Sequence, residues 1–485
     1  MTNSLRDDIL ALELAGRALE PAREERKRVR DRVVEYTEAF LNEIDSSPAF
    51  RERADMAAGL LDYRIGEYGI PIERLLSIIK SHVDDIGLNP ASGGHLGYIP
   101  GGGIYYSALG DYLADITNRF AGLFYTGPGA VRVENQLIRW MSEMIGFPQS
   151  AFGNLTSGGS VANLIAIVTA REAMGLRPRD IENAVIYFTD QIHYSIDKAL
   201  RVAGLNHCVC RTVPRDECYR MDAAALERMI QIDVANGLRP FLLIASAGTT
   251  DAGAVDPLEK LAVISKKYGA WFHVDAAYGG FFVLTKEGKE KLRGIERADS
   301  VVVDPHKGLF VPYGLGTVLV REGQYLYKAL HSGAYHASYM QDADDVNEEP
   351  SPCQLSPELT KHFRGMRLWL PLQMLGVAPF RACLEEKLLL TRYFYNEVRK
   401  LGFETPTGPE LSVATYRYIP KSGGADEFNK RLRDSIVADG RVFISSTTLD
   451  GKYTLRLACL AFRTHLPEID CLLSQLRNFV EMNDR

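Results

Sequence analysis

Between residues 184 and 320 the chain repeats one pattern: a short apolar run that stops abruptly at small or polar residues, followed by an amphipathic stretch. The runs are Ala184 to Phe188 (AVIYF), Phe241 to Ala245 (FLLIA), Ala270 to Val274 (AWFHV), Val301 to Val303 (VVV) and Gly316 to Val320 (GTVLV). Runs this short and this rich in β-branched and aromatic residues read as strands buried on both faces. Helical segments such as Leu258 to Tyr268 separate several of them. That alternation predicts an α/β fold with a mostly parallel sheet and helices on both faces.

The flanks have a different texture. Residues 1 to 45 place Ile9, Leu12, Leu19, Val29, Val33, Val34, Phe40 and Leu41 among many charges, and the stretch from Arg23 to Arg32 is almost wholly charged. A helical segment with a solvated face follows, and it could also serve as an arm lying on a partner subunit. A glycine-rich stretch, Gly93 to Gly103, closes this part near residue 105. Beyond the sheet region Arg367 to Leu390 reads as a helix. It leads into strands at Leu411 to Tyr418 and Tyr453 to Ala458 and helices at Ala425 to Asp439 and Leu466 to Val480. The expected parts are therefore an N-terminal helical segment (1–105), a large α/β domain (106–378) and a small C-terminal α+β domain (379–485).

Bulk properties narrow the function. A net charge of −6 gives no basic footprint, which argues against a nucleic-acid partner. No apolar run is long enough to span a bilayer and no signal-peptide pattern opens the chain, so a cytoplasmic protein is expected. The seven cysteines are scattered, as free thiols would be, and Cys208-x-Cys210 lacks the second pair that a zinc site needs.

The chemistry-bearing residues stand where the apolar runs stop. Val301 to Val303 lead into Asp304-Pro305-His306-Lys307-Gly308, where Lys307 is either a surface charge or an amine able to form an imine with a carbonyl cofactor. Asp275 ends the AWFHV run, and a carboxylate among apolar neighbours calls for a cation, such as a protonated pyridine nitrogen, or else caps the next turn. Ala276, Ala277, Gly279 and Gly280 beside it leave room for a flat ring. His193 follows AVIYF, either as a stacking or proton-transfer group or as an ordinary loop residue. Thr249 and Thr250 supply hydroxyls after FLLIA. Thr156-Ser157-Gly158-Gly159-Ser160 opens a helix whose free amides could hold a phosphate, or it is a plain turn with Ser157 or Ser160 as its cap. A phosphate cradle, a stacking group, a carboxylate and an amine are what pyridoxal 5′-phosphate requires of a protein.

With these motifs in place, the chain resembles the group II pyridoxal-phosphate-dependent amino-acid decarboxylases, the family of aromatic-L-amino-acid, glutamate and histidine decarboxylases. The matching stretches are HLGYIPGGG (95–103), TSGGSVANL (156–164), DQIHYS (190–195), ASAGTT (245–250), HVDAAYGG (273–280), DPHKG (304–308) and HFRGMRLW (362–369), in the family's order. The resemblance implies a fold-type I homodimer whose N-terminal segment swaps across the dimer. It implies Lys307 as the Schiff-base lysine, His306 as its neighbour at the cofactor, Asp275 on the pyridine nitrogen, and Ala277 and His193 on the two ring faces. Gly159, Ser160 and Thr250 would surround the cofactor, the first two at its phosphate. Leu330 to Gln341 resembles the catalytic loop, with Tyr339, or Tyr335 beside it, as the acid that protonates the substrate carbon. Two positions depart from the pattern: Asp304 stands where animal aromatic decarboxylases carry asparagine, and its charge would repel a phosphate. Val161 stands where the family usually has glutamate.

The segment at Tyr98-Ile99 corresponds to the substrate pocket, with His95 near it. It is aromatic and apolar with no cation for a side-chain carboxylate, which favours an aromatic L-amino acid over glutamate, aspartate or cysteine sulfinate. The expected activity is thus that of a carboxy-lyase giving the amine and CO2. The alternatives are an aromatic aldehyde synthase, which adds oxidative deamination, and a decarboxylase of a non-aromatic amino acid.

Overall fold

A computed structural model describes residues 4–331 and 349–484. Two short strands, β1 (Phe50–Arg51) and β2 (Gly87–Leu88), pair in the N-terminal part. The central sheet contains β3 (Phe152–Thr156), β4 (Ala184–Phe188), β5 (Val209–Thr212), β6 (Arg239–Ser246), β7 (Trp271–Asp275), β8 (Ser300–Val303) and β9 (Gly316–Val320). Its seven strands lie in the order β3-β9-β8-β7-β6-β4-β5. The run from β8 to β5 is parallel throughout, and β9 is antiparallel to both of its neighbours.

Alternate residues of each strand enter different cores, the mark of a sheet covered on both faces. Val185, Tyr187, Leu243, Ala245, Phe272, Val274, Val301 and Val303 belong to one apolar cluster. Ala184, Ile186, Leu242, Ile244, Val302, Val318 and Val320 belong to the other, which the helix Gly159–Ala173 covers with Ala162, Ile165, Ala166 and Ala170. Burial of Val301, Val302 and Val303, each with no exposed surface, contributes roughly 1.5–3 kcal/mol apiece. The strand then ends because Pro305 cannot donate to a ladder; it opens the short helical turn Pro305–Gly308 that carries Lys307.

A third core lies under the sheet β10 (Val413–Tyr416), β11 (Ser445–Leu449) and β12 (Lys452–Ala458), backed by the helices Ala425–Asp439 and Leu466–Asn483. The helix Ala378–Lys400 joins the two regions: Phe380, Leu384 and Leu388 pack into the central core, and Leu390, Phe394 and Val398 into the C-terminal one. The single helix expected over 367–390 is in fact two, Gly365–Leu375 and Ala378–Lys400. Gly376, at φ +67, stands in a left-handed conformation that breaks the first. At the other end of the chain, the helix Leu5–Gly16 buries none of its residues, and Leu5, Leu12 and Leu14 are each more than two-thirds exposed. No helix among the described residues is long and apolar enough to cross a membrane.

Candidate active site

The parallel strands β4, β6, β7 and β8 deliver their C-terminal ends to one edge of the sheet, the place where open α/β sheets hold ligands. Their following residues line a single cavity of about 370 Å³, which the start of the helix Gly159–Ala173 closes from one side. His193 comes from the turn after β4, Thr250 from the turn after β6, Asp275 from the last residue of β7, and Lys307 from the turn after β8.

The floor of the cavity carries two carboxylates. Asp304 is 1% exposed, and its Oδ2 lies 3.0 Å from Lys307 Nζ; such burial is costly without a cation. Its other oxygen, Oδ1, is buried and has no hydrogen-bond partner. His306 stands 3.6 Å from the same Oδ2 through Nε2, while its Nδ1 donates to the Leu315 carbonyl at 2.6 Å. Burial lowers the His306 pKa, so that ring is neutral and Lys307 is the cation that Asp304 meets. Asp275, by contrast, accepts from neutral donors: Asn163 Nδ2 at 2.9 Å on one oxygen and the Ala277 amide at 3.1 Å on the other. The turn-capping role and a free negative charge facing the cavity therefore coexist in Asp275.

The helix start beside Asp304 is shaped for close approach. A side-chain carbon at Gly159 would lie 2.9 Å from Asp304 Oδ2 and 3.3 Å from Ala277 Cβ. The helix begins at Gly158 with no side-chain cap, so neither Ser157 nor Ser160 takes up its first amides. Ser160 and Thr250 are both exposed toward the opening, and Ala277 is buried beneath it.

One part of the site could not be read from the motifs alone. Asn163, buried one turn into the helix, lies 3.0 Å from His273 Nε2 and 3.3 Å from Ser195 Oγ, in addition to its bond to Asp275. Ser195 Oγ is 2.8 Å from His193 Nδ1. His273 and Ser300, register partners on β7 and β8, are 2.9 Å apart, and Trp271 Nε1 donates to the same serine hydroxyl at 2.9 Å. Burial pushes the His273 pKa down to about 4 and lowers that of His193 as well; Asp275 opposes the shift at both rings. Polar residues inside a buried helix and strand are the available signal for such a network, since buried polar groups must find partners.

Of the residues singled out from the sequence, Lys307, His306, Asp275, Ala277, His193, Gly159, Ser160 and Thr250 all line this cavity. Tyr98, Ile99 and His95 do not. Tyr98 is 59% exposed at φ +51, with its ring 5.6 Å from that of Phe443. Ile99 packs against the central core, and His95 is 1% exposed, edge-on to Phe443, with burial lowering its pKa to about 4. Their segment still abuts the lysine turn: a side chain at Gly101 would collide with the His306 carbonyl. Tyr335 and Tyr339 lie outside the described residues.

Against proteins of known identity, a family model described as the pyridoxal-dependent decarboxylase conserved domain matches residues 94–419. The chain is 34% identical over 471 residues to an aromatic-L-amino-acid decarboxylase of Bacillus atrophaeus, covering 96% of this chain and 97% of that one. It is 27% identical to a phenylacetaldehyde synthase of Petunia hybrida over 95% of each chain. Among solved structures, Oryza sativa TDC with PLP and tryptamine superposes with a TM-score of 0.89 at 23% identity, covering 96% of this chain and 99% of that one, a likeness of fold.

Proposed function

Since this chain belongs to the pyridoxal-dependent decarboxylase family, we propose that it converts an aromatic L-amino acid to its amine and CO2, as a carboxy-lyase with pyridoxal 5′-phosphate as cofactor. The observation that carries the reading is the convergence of Lys307, Asp275, His193 and an uncapped helix start on one cavity. The residues fit the cofactor. Gly159 leaves space between Asp304 and Ala277 that any side chain would fill, and Asp275 forms no ion pair among the described residues.

In this reading Lys307 supplies the amine for covalent attachment, Gly159 and Ser160 hold the phosphate with the helix amides, and Thr250 and His306 stand beside the ring. Ala277 and His193 would pack against the ring, and Asp275 would pair with its nitrogen, favouring the protonated form. When bound, the cofactor supplies a carbonyl for the substrate amine and a conjugated ring that accepts the electron pair left by CO2. Asp304, already paired with Lys307 and set against the helix start, serves the lysine rather than the phosphate. His193 orients the ring plane from a neutral imidazole. Tyr339 is assigned, on the family resemblance, the return of a proton to the substrate carbon. Replacing it with phenylalanine shifts the product from amine toward aldehyde with oxygen uptake; an unchanged amine yield removes it from the mechanism.

Tyr98 and Ile99 are proposed to meet the apolar side chain of the substrate, with His95 supporting Tyr98 from below. Exposed Tyr98 and the uncovered helix Leu5–Gly16 support a homodimer in which a second copy completes the site. The division into parts at 105/106 and 378/379 goes with this reading, and the seven free cysteines agree with a cytoplasmic setting. A panel of L-amino acids assayed for CO2, amine and peroxide tests the function. Amine and CO2 in equal amounts from aromatic substrates are expected; peroxide with aldehyde would instead indicate the oxidative chemistry that the petunia relative's name describes.

A further inference from the structure

The hydrogen-bond chain around Asn163 has only one sense in which every proton can be placed. Its carboxylate end fixes that sense: an ionised carboxylate can only accept, so Asn163 Nδ2 faces Asp275 and Asn163 Oδ1 is left to accept from His273. Trp271 Nε1–H gives to Ser300 Oγ at 2.9 Å, and the same hydroxyl, 2.9 Å from His273 Nδ1, donates to that nitrogen once the ring proton is on Nε2. His273 is buried and neutral, so its one proton sits on Nε2 and goes to Asn163 Oδ1 at 3.0 Å. The amide is thereby oriented with Nδ2 toward Asp275 Oδ2 at 2.9 Å. Turned the other way, it would set oxygen against oxygen and nitrogen against a donor.

The second proton of the same amide points at Ser195 Oγ, 3.3 Å away. Ser195 is then free to donate to His193 Nδ1 at 2.8 Å. The Ser195 backbone N–H, which has no choice but to donate, reaches the same Nδ1 at 3.3 Å. Two donors on Nδ1 leave the proton of a neutral ring on Nε2.

We propose that Asn163 is a positioning residue that joins the Asp275 carboxylate and the His193 ring into one directed hydrogen-bond chain, holding His193 as the Nε2–H tautomer while keeping Asp275 a pure acceptor. Its proposed role runs through these two groups, to which it is hydrogen-bonded directly or by way of Ser195. The inference rests on the roles given above to Asp275 and His193, but the tautomers it specifies do not depend on which reaction is catalysed. The charged groups acting on His193 are Asp275, Asp304 and Asp251, which favour its cation, and Lys307, which opposes it; the charged group acting on His273 is Asp275.

The test is 15N spectroscopy of the histidine rings in the full-length holoenzyme, in wild type and in the near-isosteric Asn163→Asp. Wild type is expected to carry the proton on Nε2 in both His193 and His273. In Asn163→Asp the new carboxylate competes for the Ser195 proton, so the His193 Nδ1 signal moves, and the midpoint at which His273 titrates rises. The kcat falls by about 10–100-fold, the cost typical of losing an outer-sphere partner, with KM unchanged. If Asn163→Asp does not fold, Ser195→Ala removes one arm alone: the His193 Nδ1 signal moves and that of His273 stays. A wild-type His193 protonated on Nδ1, or His193 signals unmoved by either variant, overturns the proposal. Correct tautomers in an enzyme that releases no amine would leave the proposal standing and overturn the assigned reaction instead.

Discussion

Asp275 ends β7 and Asp304 follows β8, the neighbouring strand, yet the two carboxylates are held by different kinds of partner. Asp304 is sealed from solvent and its charge is already met, by Lys307 at 3.0 Å. Asp275, half-buried and level with Val302 on the neighbouring strand, takes its hydrogen bonds from an amide side chain and a backbone N–H, neither of which carries charge. Hydrogen bonds from neutral donors stabilise the anion without cancelling it. In the proposed reading one cavity floor thus holds two acidic groups with separate tasks: one balances the lysine, and the other keeps its charge for a ligand cation.

Substitutions at the two positions should therefore differ in size. Asp275→Ala removes the only one of the pair with charge to spare, and kcat should fall by about 10²–10³-fold, as when a preorganised electrostatic partner is lost at a reacting group. An equal loss in Asp304→Asn would erase the distinction. Gly159→Ala places a carbon between Asp304 and Ala277, 2.9 Å from Asp304 Oδ2. Cofactor affinity should drop by about tenfold or more in equilibrium dialysis, for about 1.4 kcal/mol of lost contact. Asp304→Asn should lower kcat by less than Asp275→Ala does, since the asparagine keeps the shape and the lysine remains, although breaking a buried pair should also lower Tm. Cofactor uptake by the stripped enzyme should be no slower than in wild type; slower uptake would assign Asp304 to the cofactor after all.

The smallest expected effect is on stability. His273, on the Asp275 side, is neutral when folded, with its pKa depressed from 6.5 to about 4. The folded state then resists protonation that the unfolded chain accepts, so this contribution is complete above pH 6.5 and is lost as pH falls toward 4. His95 acts in the same window and direction. Asp256, raised to about 6 by burial, acts in the opposite direction: its contribution is complete below 3.8 and lost as pH rises through 6. Thermal melts between pH 7 and 4.5 should show wild type losing Tm, and His273→Asn losing less of it; equal slopes would remove His273 from the acid response.

The same contrast explains what could be read from the sequence. Asp275, Lys307, His193 and Thr250 stand directly after β-branched or aromatic runs, where hydrophobic patterning and function coincide. The strands at 184–188 and 316–320 and the helices Leu258–Tyr268 and Ala425–Asp439 have the bounds expected of them. β3, with glycine and asparagine in FGNLT, and β5, the half-exposed edge strand VCRT, lack the continuous apolar run that marks the other strands, so the sequence does not announce them although Leu155 and Val209 pack on the central core. Nor does an apolar run disclose that β9 is antiparallel. The network through Asn163 and His273 is invisible for a related reason: each residue looks like an isolated polar position until the helix Gly159–Ala173 is laid across β7. Tyr98 shows the opposite limit, since a pocket segment identified by resemblance remains largely exposed on the single chain.

Everything assigned to this floor depends on Lys307 being the point of covalent attachment. Borohydride reduction of the holoenzyme followed by peptide mass mapping addresses that directly. The cofactor mass should appear on the peptide containing Lys307 and on no peptide of Lys307→Ala, which should also lose the visible absorption band. Cofactor fixed by borohydride to the Lys307→Ala protein, or to a different lysine in wild type, would contradict the account.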